Sequence, residues 1–123
     1  MNWYDHEYLV PVFLGIDNFS IKTAKLLKKL NNSKPHIFAE NFGFLQKFSF
    51  HCHRVTPMRD ELLLLSLLDF SKDLEEYKFP VIIYSENMQS FISSNLEELE
   101  CRFIIVSCSD ANTFLKEKKN DIK

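Results

Sequence analysis

Short apolar runs alternate with amphipathic stretches along nearly the whole chain, and this alternation limits the folds it can adopt more than any other feature. Tyr8 to Leu14 is a continuous apolar run ending at Gly15, as expected of a strand buried on both faces. Pro11 within it cannot donate a ladder hydrogen bond, so the strand is expected to start after it or to lie at a sheet edge. From Ser20 to Leu30, Ile21, Ala24, Leu27 and Leu30 recur every three residues between lysines, which predicts an amphipathic helix. Asn31-Asn32-Ser33 closes it, and Pro35 to Ala39 reads as a second strand. After a loop around Gly43, Lys47 to Val55 alternates as a third strand, with Phe48, Phe50 and Cys52 on one face. Leu63, Leu67, Phe70, Leu74 and Tyr77, widened by Leu64 and Leu68, mark the longest helix, from Met58 to about Tyr77. Pro80 then precedes a β-branched strand, Val81 to Tyr84. A helix capped by Ser85 follows to Leu99, then a strand from Arg102 to Val106, and a last helix capped by Ser109 runs from Asp110 to Lys118 before a frayed end.

This order predicts an α/β fold: a three-layer, Rossmann-like domain with a mainly parallel sheet of about five strands and helices on both faces. A chain of 123 residues is long enough for one such domain, with a core from about residue 8 to 115, and needs neither disulfides nor a metal to fold. Fifteen basic against seventeen acidic residues argue against a nucleic-acid binder, and the only arginines are Arg54, Arg59 and Arg102. Three cysteines without C-x-x-C spacing fit reduced thiols in a cytoplasm. No run is long enough for a membrane span, and the acidic, polar N-terminus is unlike a signal peptide.

Ligands of such sheets bind at the carboxyl ends of the strands, which points to the loops Gly15–Ser20, Glu40–Lys47 and Ser85–Asn87. Only two glycines are present, too few for a P-loop or a complete dinucleotide fingerprint. The segment Gly15 to Ser20 occupies the place of an anion-binding loop, but Asp17 would repel a phosphate, and helix capping accounts for the same residues. His51 and His53 lie on one face of a strand, yet two ligands do not make a metal site, so none is assigned. Cys101 and Cys108 have no neighbouring base, which leaves no candidate catalytic residue. Glu86 is placed to orient a ligand hydroxyl or ammonium, although answering the helix dipole behind a Ser85 cap is the stronger account of it.

Taken in order, three segments carry a more specific likeness: Gly15-Ile16-Asp17-Asn18 before a helix with Ala24 and Leu27, Asn41-Phe42-Gly43-Phe44 before Phe48-Ser49-Phe50, and Phe79 to Asn87 running into Asn95-Leu96-Glu97-Glu98-Leu99 and the strand Phe103 to Val106. This arrangement resembles the N-terminal pre-ATP-grasp domain of ATP-grasp ligases, such as biotin carboxylases, carbamoyl phosphate synthase large subunits and other carboxylate-amine ligases. The resemblance implies a domain that is not catalytic by itself and lends Gly15, Asp17, Asn18, Ser85 and Glu86 to the acceptor-substrate side of an active site. It also implies that ATP and magnesium are held by an ATP-grasp domain, in the same or a separate chain, and that a homodimer is compatible with the domain. Ile16 and Phe19 stand where relatives carry a second glycine, and the arginine of the family's second loop is absent between Glu40 and Gln46. The alternative is a stand-alone regulatory module that binds a small metabolite or a protein at the same strand ends.

Overall fold

The computed structural model describes residues 9–15, 18–31, 36–39, 51–54, 59–74 and 78–121. Along the chain these form β1 (Leu9–Leu14), α1 (Asn18–Asn31), β2 (His36–Ala39), β3 (His51–Arg54), α2 (Asp60–Asp73), β4 (Phe79–Tyr84), a 3₁₀ turn (Glu86–Met88), α3 (Gln89–Ser94), α4 (Leu96–Glu100), β5 (Ile104–Ser107) and α5 (Cys108–Asp121). The strands form one sheet in the order β3-β2-β1-β4-β5, and every neighbouring pair is parallel. The fold is α/β, as the alternation predicts.

Side chains that alternate along the strands divide the core in two. Phe13, Ile37, Val81 and Ile83 pack with Ala24 and Leu27 of α1 and with Cys108, Ala111 and Leu115 of α5. Val12, Leu14, Phe38 and Ile82 face the other way, onto Leu63 and Leu67 of α2, Phe91 and Ile92 of α3, and Leu99 of α4. Right-handed crossovers account for this division. The chain moves from β1 to β2 through α1 on one face, and it travels in the opposite direction, from β3 through β4 to β5, with α2, α3 and α4 on the other. Phe70 fixes α2 to β2 through edge-to-face contacts with Phe38 and His36, at ring-centroid distances of 5.7 and 4.8 Å.

Pro11 corrects the sequence expectation, because it is buried within a central strand and sits neither before it nor at an edge. In a parallel strand the N–H and C=O of one residue point to the same neighbour, and successive residues alternate. Ser85 N–H donates to Leu14 C=O and Gly15 N–H donates to Phe38 C=O, both at 3.0 Å, so the odd positions of β1 face β2. Among the described residues, pairing with β2 starts at Val12↔His36, so the donor that Pro11 lacks costs no ladder bond to a described residue. The same holds in β4, which starts two residues earlier than its apolar run implies: Pro80 faces β5, where pairing starts at Val81↔Ile104.

Helix α1 is longer than expected by two residues at its start and one at its end, α5 runs on past Lys118 to Asp121, and three further differences have a visible cause. Helix α2 ends at Asp73, where Leu74 turns to extended backbone and its amide reaches back to Ser71 C=O. With 14 residues it equals α1 and α5 and is not the longest. The helix expected from Glu86 to Leu99 is a 3₁₀ turn followed by two short helices broken at Asn95, whose side-chain Nδ2 donates to Phe91 C=O at 2.9 Å. Helix α5 starts at Cys108 because Ser107, and not Ser109, supplies the cap: Asp110 N–H donates to Ser107 Oγ at 3.2 Å. Phe48 and Phe50 lie outside the described residues.

Two substitutions test this core. Ile82→Ala removes a side chain with no exposed surface at the sheet centre and should cost about 2–5 kcal/mol in urea denaturation. Pro11→Ala should cost about 0.4–1 kcal/mol, the loss of the ring's restriction on the unfolded chain, since no ladder bond to a described residue is at stake.

Candidate functional site

The crevice at which the strand order reverses lies between the carboxyl ends of β1 and β4, where α/β sheets bind their ligands. Gly15 and Ser85 meet there. Each continues its strand by one residue through the two amide bonds given above, so both N–H groups are already spent on the sheet. Gly15 has φ +84°, a conformation that side chains other than glycine's rarely adopt. A Cβ at this position would collide with Ser85 Oγ and come within 2.9 Å of Met88 Cγ and 3.2 Å of Asn87 Oδ1. The glycine therefore permits close approach of the two strand-end loops.

Ser85 is fully buried, and its hydroxyl donates to Asn87 Oδ1. Its carbonyl accepts the Met88 amide at 2.9 Å and starts the 3₁₀ turn. The serine is thus a cap by position, but its side chain does not bond a helix amide as expected. Glu86 is exposed on the same turn. Of the residues predicted from sequence, Gly15 and Ser85 are brought together and Glu86 lies beside them. Asn18 opens α1, with only its backbone described, and Asp17 lies outside the described residues, as does the loop from Glu40 to Phe50.

Asn87 belongs to the strand-end loop Ser85–Asn87 expected from sequence, but its contact with Gly15 was not predicted, nor was any part for Met88. Asn87 reads as a turn residue and Met88 as part of a helical stripe, and only tertiary folding brings them over Gly15. The side of Gly15 that a Cβ would occupy is already filled by Ser85, Asn87 and Met88.

A second polar group lies nearby between α1 and α5. Ser20 Oγ is 3.5 Å from the Cys108 thiol, and Thr23 Oγ1 donates to Cys108 C=O at 3.4 Å. All three residues are buried, as is Asn112 one turn further along α5, whose Nδ2 has no hydrogen-bond partner among the described residues. No sequence spacing announces this seam, because its two sides are separated by more than eighty residues. Cys101 is exposed and donates to Glu97 C=O. Among the described residues no group of three or more His, Cys, Asp or Glu side chains could hold a metal ion. The side chains of His51 and His53 lie outside what is described. No helix among the described residues is long and apolar enough to cross a membrane.

No protein-family model, curated protein or solved structure matches the chain.

Gly15→Ala should destabilise the domain by about 2–4 kcal/mol in urea denaturation, combining a left-handed backbone with overpacking against Ser85. Ser107→Ala should cost about 1 kcal/mol through loss of the α5 cap.

Proposed function

We propose that this chain is the N-terminal, substrate-side domain of an ATP-grasp ligase of the carboxylate-amine or carbamoyl phosphate synthase-like type, with a three-layer Rossmann-like fold and no catalysis of its own. The observation that carries the reading is the β1/β4 junction. It has the location of a ligand crevice in a doubly wound sheet, yet its one glycine, Gly15, is packed against Ser85, Asn87 and Met88. A domain that leaves the nucleotide to a neighbour has no use for an open phosphate loop, and an exposed acid at the rim suits recognition of an acceptor. In this reading Gly15 and Ser85 set the wall of the crevice, Glu86 is exposed towards the acceptor, and Asp17 and Asn18 are assigned to the acceptor side by the resemblance alone. ATP and magnesium belong to an ATP-grasp domain, in the same or a separate chain, and the setting is cytoplasmic.

Titration of the chain with ATP and magnesium in a calorimeter should give no binding heat, and saturable micromolar binding would contradict the reading. In the ligase assembled with its ATP-grasp domain, Glu86→Gln should raise KM for the acceptor by about tenfold, the worth of one charge-assisted hydrogen bond, and leave KM for ATP unchanged.

A further inference from the structure

Among the described residues β5 ends the sheet on one side, and its outer edge is free of charge. Ile104, Ile105, Val106 and Ser107 carry no lysine, acid or proline, the usual devices that stop edge strands from pairing. The opposite edge, β3, reads His-Cys-His-Arg. Ile104 is 44% exposed although it is a large β-branched residue, and the other three positions are half-buried.

The backbone of this edge can be accounted for group by group. Ile82 faces β5, so Ile104 and Val106 direct their polar groups to β4, while Phe103, Ile105 and Ser107 direct theirs outward. Phe103 N–H is already bonded to Leu99 C=O at 2.8 Å. Ser107 C=O, at the N-cap of α5, accepts the first intrahelical bond. Four outward groups have no partner among the described residues: Phe103 C=O, Ile105 N–H, Ile105 C=O and Ser107 N–H.

We infer that this edge pairs with β5 of a second copy of the chain, antiparallel about a two-fold axis through Ile105. In that register each Ile105 N–H donates to the other copy's Ile105 C=O, and each Ser107 N–H donates to the other copy's Phe103 C=O. All four free groups of both strands are then satisfied, and none that is already bonded is asked for again. A shift by two residues in either direction calls on the spent Phe103 N–H or Ser107 C=O and leaves fewer bonds. The same register sets Ile104 against Val106 of the other copy twice on one face and Ile105 against Ile105 on the other, so the exposed isoleucine becomes covered. Arg102 of each copy also comes to the end of the strand from which the other copy's Asp110 follows, and both residues are exposed. The result is an isologous dimer with one continuous sheet across both subunits, and it does not depend on the proposed function.

Sedimentation equilibrium of the chain should give about twice the monomer mass of 14.6 kDa, falling towards the monomer on dilution. Ile104→Lys, which places a charge where the monomer already leaves the side chain exposed, should return the monomer mass with an unchanged circular dichroism spectrum. In the unsubstituted protein, the Ile105 and Ser107 amides should exchange slowly at high concentration and lose that protection on dilution, a readout that does not need a folded variant. A monomer at every concentration, a dimer that survives Ile104→Lys, or Ile105 and Ser107 protection that ignores dilution would each overturn the inference.

Discussion

Everything in this domain is referred to the pairing of β1 with β4. The two strands run parallel in register from Leu9↔Phe79 to Leu14↔Tyr84 and occupy the inner positions of the sheet. Each sends alternate side chains to opposite faces, so one ladder supplies the floor of both cores: Phe13, Val81 and Ile83 under α1 and α5, Val12, Leu14 and Ile82 under α2, α3 and α4. Burial of such side chains is worth roughly 1.5–3 kcal/mol each, far more than any single polar contact at the surface. The ladder also tolerates a proline in each strand, because among the described residues each lacks its donor on the side where pairing with the next strand starts one residue later.

The same pairing creates the candidate site. Where β1 and β4 end, the ladder runs on for one more bond, Ser85 to Leu14, and carries Ser85 against Gly15. A doubly wound sheet offers its crevice at this place because the connections leave in opposite directions. Here the two loops close on each other through a glycine with positive φ, a buried serine and the side chains of Asn87 and Met88. The proposed reading of the chain as a substrate-side domain rests on that packing of Gly15 and on Glu86, which is exposed at the rim.

Much of this was legible in the residues. Periodicity alone places Ala24, Leu27, Leu63 and Leu67 on buried helix faces and Val81 to Ile83 in a central strand, because spacing and side-chain volume are local properties. The role of Pro11 was not legible, since it depends on where the neighbouring strand begins and not on the proline itself. The break at Asn95 and the cap at Ser107 turn on which of several polar side chains bonds the backbone, a competition that hydrophobic spacing does not register. Gly15 and Ser85 could be named as strand-end residues, but their contact, the part played by Asn87 and Met88, and the seam of Ser20, Thr23, Cys108 and Asn112 are tertiary facts joining distant segments.

The central claim is that the β1/β4 junction is a closed part of the sheet and not a nucleotide cradle awaiting its ligand. Hydrogen exchange at the Gly15 and Ser85 amides, with and without excess ATP and magnesium, tests it most directly. The account predicts that both amides exchange as slowly as those of Phe13 and Ile83 and that the nucleotide changes neither rate. Rapid exchange at both positions that becomes slow when ATP and magnesium are added would contradict it.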